Sequence, residues 1–252
     1  MDADTIPAIK GLIEHTLIDW EGRLAAEVFL AGCNFRCPFC HARHLVLNRD
    51  ELESIPLAAV DGCLSRNAGW IEGVVISGGE PTLAPGLPRL IEHFRTRGLA
   101  VKLDTNGSHP EVLARLLAEG RLSAVAMDVK APLDERYHAA AGVTVNLDAI
   151  RESIELLIRS NIEYEFRTTV CPVFHDAAAI EGVALAVRGA RRYVLQRFRP
   201  LNCLDPALTA VQPYNGEQMR RLAKVAARYV HSCAVRGDAE SERTTGVPGR
   251  QR

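Results

Sequence analysis

The sequence contains no apolar run that approaches the length needed to cross a bilayer. Its first residues, Met1-Asp2-Ala3-Asp4-Thr5-Ile6-Pro7, are acidic where a secretory signal would carry a basic start and an apolar stretch. Neither membrane insertion nor export is expected. Charge of one sign is not in excess either: 30 Lys and Arg against 31 Asp and Glu give a formal net charge of -1. No overall field therefore draws in nucleic acid or an anionic membrane. There is no internal repeat and no linker long enough to divide the 252 residues. With 47% hydrophobic residues the chain can bury a substantial core.

The chain also lacks a second set of closely spaced cysteines. Of 7 Cys, an odd number, three lie in Gly32-Cys33-Asn34-Phe35-Arg36-Cys37-Pro38-Phe39-Cys40-His41. That distribution suits a reducing compartment rather than a disulfide scaffold, so the cytoplasm is the expected location. Cys63, Cys171, Cys203 and Cys233 are scattered without ligand spacing and are expected to pack in the core.

Cys33, Cys37 and Cys40 can close on one metal centre, and no fourth Cys stands nearby. A structural zinc site wants four protein ligands, which His41 or His44 could complete. A 4Fe-4S cubane on three cysteines instead keeps one iron free for a small molecule. Softness and ligand count do not separate the two metals.

The rest of the chain alternates short β-branched runs with amphipathic stretches. A hairpin-like lead-in with a polar turn at Asp19-Trp20-Glu21-Gly22 precedes the apolar run Leu24 to Leu30, and the cysteine loop follows directly. Strands are expected at Gly73 to Ser77, Ala100 to Asp104, Ala124 to Asp128, Tyr164 to Val170 and Tyr193 to Phe198. Helices are expected at Pro56 to Arg66, Pro88 to Arg97, Pro110 to Glu119, from Leu147 with Asn146 as N-cap, at Asp176 to Arg188, and around Leu222 to Tyr229. About six such units predict an α/β fold, a partial (open) β/α barrel of parallel strands, since closing a full barrel takes eight. One core domain is expected over 1–235, and a disordered tail rich in Gly, Ser, Thr and charge over 236–252.

Each remaining motif sits just after the apolar part of a strand, so in a parallel sheet all point to one rim, where ligands bind. Gly78 and Gly79 let backbone approach a ligand closely, although a glycine pair before Pro also occurs in inert loops. Asp104 and Asp128 end neighbouring strands, either to cap the next turn or to bind a ligand. Arg167, Gln196, Arg197 and Arg199 read as solvated charged strand ends, and none is assigned a catalytic role.

The cysteine spacing, with an aromatic residue before the third Cys, resembles the cluster loop of radical S-adenosylmethionine (SAM) enzymes. Within them the chain is most similar to the glycyl-radical-enzyme activases, above all the activating proteins of anaerobic ribonucleoside-triphosphate reductase. The likeness is also carried by Ile76-Ser77-Gly78-Gly79-Glu80-Pro81-Thr82, Lys102-Leu103-Asp104-Thr105-Asn106-Gly107, Ala126-Met127-Asp128-Val129-Lys130-Ala131-Pro132 and Tyr164-Glu165-Phe166-Arg167-Thr168-Thr169-Val170.

The resemblance implies a radical SAM fold and a 4Fe-4S cluster on Cys33, Cys37 and Cys40. It implies SAM held by Phe39 near the adenine, by His41, by Gly78, Gly79 and Glu80 at the methionine amino group, and by Asp104, Thr105, Asp128 and Lys130, with or without a cation beside the SAM carboxylate. It further implies a glycyl radical enzyme as partner, the anaerobic ribonucleotide reductase large subunit, and a flavodoxin- or ferredoxin-type electron donor. Alternatives are an activase of the pyruvate formate-lyase type, from which the chain departs by lacking a His-containing motif near Gln196, and a radical SAM enzyme acting on a small molecule. A zinc-binding interaction module is the reading from a different class.

Overall fold

The computed structural model describes residues 5–48 and 50–237. Strand β1 (Ile9–Thr16) pairs antiparallel with β2 (Ala25–Leu30). Six more strands then add in chain order, each parallel to the last: β3 (Gly73–Gly78), β4 (Ala100–Thr105), β5 (Ala124–Asp128), β6 (Glu163–Val170), β7 (Tyr193–Arg197) and β8 (Cys233–Arg236). No pairing joins β8 back to β1 among the described residues, so the sheet stays open.

Helices α2 (Leu57–Arg66), α3 (Leu87–Arg95), α4 (Pro110–Ala118), α6 (Leu147–Arg159), α7 (Ala177–Ala186) and α8 (Gly216–Ala226) pack apolar side chains into the core, while the short α1 (Arg43–Leu47) and α5 (Glu135–Ala141) bond through Leu45 and Ala141 to the cysteine loop. The expected cap at Asn146 forms, its Oδ1 accepting from the backbone N–H of Asp148 at 3.1 Å and of Ala149 at 3.4 Å. Leu103, Val125, Met127 and Phe166 on the outer face belong to one hydrophobic core with Leu90, Phe94, Leu113 and Ile154 from the helices.

The parallel strands number one more than the six expected. The addition, β8, is only four residues long and half-buried, which leaves little β pattern to read. Arg236 lies inside β8 rather than in the tail expected from 236 onward; the expected tail from 238 lies outside the described residues.

The inner face is charged where barrels are usually filled by branched apolar side chains. Lys102 and Asp104 on β4, and Glu165 and Arg167 on β6, are two residues apart, so each pair faces the same side. Ala126 stands between Asp104 and Glu165 in the register and is small enough to let β4 and β6 meet across β5. Arg167 Nη1 donates to Asp104 Oδ2 at 2.7 Å, Lys102 Nζ lies 3.6 Å from Glu165 Oε1, and Arg236 forks onto Glu165 at 3.1 and 3.0 Å. These ion pairs separate a cavity of about 220 Å³ at the carboxyl ends of the strands from one of about 340 Å³ at the amino ends. Trp20, expected in a polar turn, is instead buried beneath the barrel with Ala25, Val75 and Ala124, its Nε1 donating to Glu163 Oε1 at 3.2 Å.

Glu27 of β2 shares this interior. Burial, with Asp19 and Asp104 nearby, pushes its carboxyl up to about 8. The folded chain therefore holds a proton that the unfolded chain releases. That contribution to stability is full below about pH 4.5, declines as pH rises and is gone once pH passes about 8. Glu27→Gln cannot ionise. Its melting temperature should exceed the parent's above about pH 8, by about 2–4 °C per kcal/mol recovered, and match it near pH 4.5. Thermal melts across this range check the prediction.

Candidate active site

The cysteine loop leaves β2 at Gly32, whose φ of +94° turns the chain over the end of the sheet. Backbone bonds hold it from several sides. Gly32 N donates to Leu45 O at 2.8 Å, Arg36 N to Ala141 O at 2.8 Å, Leu204 N to Cys40 O at 3.1 Å and Asp205 N to Pro38 O at 2.9 Å. Arg36 braces the loop from within, Nη1 donating to the carbonyls of Cys33 and Phe35 at 2.6 and 2.8 Å.

Gly78 and Gly79 close against this loop. A Cβ at Gly78 would lie 2.2 Å from the Leu30 carbonyl oxygen and one at Gly79 2.0 Å from that of Gly32. Both glycines line the upper cavity. Their lack of a side chain is required by the two strand ends meeting, whatever ligand they face. Gly79→Ala should cost about 3 kcal/mol and lower iron incorporation, read by denaturant unfolding and iron analysis.

The three thiols line the same cavity, beside Phe39 and His41. Burial pushes all three upward, Cys37 to about 12, with Lys130 pulling the other way. A bound metal centre reverses this, because a coordinating thiol is deprotonated outright. Among the described residues no three His, Cys, Asp or Glu side chains are gathered tightly enough to hold a single ion. His41 turns its Nε2 to the Arg199 carbonyl at 2.6 Å and stacks on Phe198, and His44 is not part of the cavity lining. The three sulfurs share one cavity whose lining holds no fourth Cys, the donor set of a 4Fe-4S cubane with one open iron.

Asp104, Asp128, Lys130 and Arg167 line the same cavity. Arg167 bridges the two carboxylates, Nη1 to Asp104 Oδ2 at 2.7 Å and Nε to Asp128 Oδ1 at 2.8 Å, while Lys130 Nζ donates to Asp128 Oδ2 at 3.0 Å. Burial opposes ionisation of Asp128, but Arg167 and Lys130 outweigh it and hold its carboxyl below the usual range. For Asp104 burial prevails over Arg167 and Lys102, and the carboxyl is raised. Asp104 Oδ1 is buried without a hydrogen-bond donor, Lys102 Nζ remaining 3.8 Å away. The countercharge between the two carboxylates is already present as a guanidinium.

Residues 28–181 match the Radical SAM superfamily. The chain belongs to this superfamily. It is an enzyme, a radical SAM oxidoreductase, whose cofactors are a 4Fe-4S cluster and SAM. A Methanocaldococcus jannaschii protein named as a glycyl-radical enzyme activating enzyme is 29% identical over 233 residues, 90% of this chain and 95% of that one. A Thermococcus kodakarensis protein named as a GTP 3',8-cyclase is 27% identical, over 62% of this chain and 50% of that one. Among solved structures, a domain of pyruvate-formate lyase-activating enzyme from Bacteroides vulgatus is similar in fold, with TM-score 0.53, 18% identity and coverage of 66% of this chain and 99% of that one. Streptococcus suis SuiB bound to SAM gives TM-score 0.64 at 16% identity, over 87% of this chain and 53% of that one.

At two positions the geometry of this cavity differs from the sequence reading. Glu80 is not part of the cavity lining: its Oε1 accepts from the hydroxyls of Thr82 and Thr105 at 2.5 and 2.7 Å, and its Oε2 from Asn106 N–H at 2.6 Å. It locks the loop after β3 to the loop after β4, and the Thr105 hydroxyl, though at the cavity, is engaged in that lock. Arg167, read as a solvated strand end, is buried and bridges the two aspartates. The alternation of charge with apolar residues in Glu165-Phe166-Arg167 was the available signal for an inward face. Gln196, Arg197 and Arg199 are not in the lining, and Arg197 Nε donates to the Tyr214 carbonyl at 2.7 Å.

Proposed function

We propose that the chain is an activase that generates a glycyl radical on a partner enzyme, the anaerobic ribonucleoside-triphosphate reductase. Cys33, Cys37 and Cys40 would hold the 4Fe-4S cluster, and Phe39, His41, Asp104, Asp128 and Lys130 would surround SAM. When bound, the reduced cluster would supply one electron for cleavage of SAM's carbon–sulfur bond, and with it the abstraction of a hydrogen atom from the partner's glycine, leaving methionine and 5'-deoxyadenosine.

The chain's own part is binding and orientation. Lys130 offers a donor to the carboxylate of the methionine half, and the Asp104 carboxyl group at the cavity is an acceptor for an ammonium or a hydroxyl. Phe39, backed by Phe174 with ring centroids 5.6 Å apart, gives a flat apolar wall for a base. The observation that carries the reading is the placing of three cluster-spaced thiols and this ionic group in one cavity. For the activase branch, support comes from the alignment with the M. jannaschii protein over nearly the whole of both chains.

The test is incubation of the reconstituted, reduced protein with SAM and the reductase large subunit, followed by electron paramagnetic resonance. A glycyl doublet on the reductase is expected. Formation of 5'-deoxyadenosine that depends instead on a small substrate such as GTP would replace the activase reading with that of a small-molecule enzyme. Reduction by flavodoxin or ferredoxin in place of dithionite tests the electron donor.

A further inference from the structure

The loop that leaves β6 carries His175, four residues after Cys171 and fully buried. Its ring is fixed at both nitrogens. Nε2 faces the Lys130 carbonyl at 2.7 Å, which can only accept, so Nε2 carries a proton and donates; Nδ1 lies 3.1 Å from Cys171 N–H and 3.2 Å from the Cys171 carbonyl oxygen. The ring also meets Phe39 edge-on, with centroids 6.0 Å apart and planes at 70°. Lys130 and Phe39 lie on different loops, and His175 touches both.

The segment that bears Lys130 is tied to β6 at successive peptide groups. Val129 N donates to Arg167 O at 2.8 Å, and Thr168 Oγ1 to Val129 O at 2.7 Å. The first two anchors stop at Val129. The hydrogen bond from His175 continues the attachment to the Lys130 peptide, whose ammonium donates to Asp128 at the cavity.

We infer that His175 is a positioning residue for the cofactor: by gripping the Lys130 carbonyl and the Phe39 ring together, it sets the spacing of two cavity walls between which SAM lies. This rests on the reading of that cavity as the SAM site. Burial keeps the imidazole below the usual histidine range, so the ring stays neutral and retains one donor and one acceptor.

Two substitutions separate the two bonds. His175→Asn keeps an acceptor for Cys171 N–H but is too short to reach the Lys130 carbonyl. His175→Gln places an amide N–H at the reach of Nε2. Both are made in the full chain with its cluster reconstituted, and SAM is the probe, in binding titrations and in 5'-deoxyadenosine formation without a partner.

In the Asn variant KM and Kd for SAM should rise about tenfold with kcat within about twofold, at unchanged iron content, and the Gln variant should return both to within about threefold of the parent. Equal SAM affinity in the Asn and Gln variants overturns the inference. So does an Asn variant that fails to fold, by far-UV circular dichroism, since His175 would then be an element of stability alone. If the parent itself binds no SAM, it is the cofactor reading of the cavity that fails, and that failure is seen before either variant is made.

Discussion

Alanine at any one of Cys33, Cys37 or Cys40 should lower formation of 5'-deoxyadenosine at least ~10³-fold, because no side chain can stand in for the electron the cluster delivers. Folding should survive. The loop is held mainly by backbone bonds from Gly32, Arg36, Leu204 and Asp205, none of which involves a thiol. The loss of one sulfur, buried at Cys37 and half-buried at Cys33 and Cys40, should cost about 1 kcal/mol. Cys63→Ala is the control: Cys63 is buried in the hydrophobic layer at α2, away from the cavity lining, and its removal should leave turnover intact. Iron content, visible absorbance and chemical denaturation, measured together on all four variants, separate loss of the cluster from loss of fold.

Arg167→Met should destabilise the fold by about 3–5 kcal/mol, the usual cost of leaving a buried charge without its partner. Two carboxylates depend on this guanidinium, and Asp104 is buried with one oxygen that already lacks a hydrogen-bond donor. Arg167→Lys should recover only part of the loss, since a single ammonium does not reproduce the rigid guanidinium that sets Nη1 on Asp104 and Nε on Asp128. Removing the orphaned charge tests the cause: the pair Arg167→Met with Asp104→Asn should be more stable than Arg167→Met alone. Denaturant unfolding of the parent, both single variants and the pair gives the coupling directly. A sum of the single effects with no coupling would mean that Arg167 stabilises the barrel by packing rather than by charge.

Much of the architecture was legible because it is written locally. The β-branched run before Ser77, the capping Asn146 and the prolines at helix starts each act within a few residues, and the elements they predict are present. The thiol spacing is likewise local, and the structure puts all three sulfurs on one cavity. What escaped depends on contacts between distant strands. Arg167 became a bridging group only through a register that sets Ala126 between Asp104 and Glu165. The resemblance implies a place for Glu80 at the methionine amino group, whereas its carboxylate accepts from Thr105 and Asn106 of the next strand end, 25 and 26 residues on. Trp20 lay in a stretch of turn residues, and its burial follows from the open bottom of the barrel, which no local pattern reveals. Helix α5 is short, and its cap, Asp134 accepting from Arg136 N–H at 2.9 Å, follows a Pro-containing stretch that masked it.

The central claim is that the cavity at the carboxyl ends of the strands binds a cluster with one iron open to SAM. The most direct measurement is electron paramagnetic resonance on anaerobically reconstituted, reduced protein before and after addition of SAM, with the products assayed in the same sample. The account predicts a 4Fe-4S signal that shifts when SAM is added, accompanied by 5'-deoxyadenosine and methionine in equal amounts. A signal indifferent to SAM with the nucleoside left intact, or a colourless protein carrying stoichiometric zinc, would contradict it.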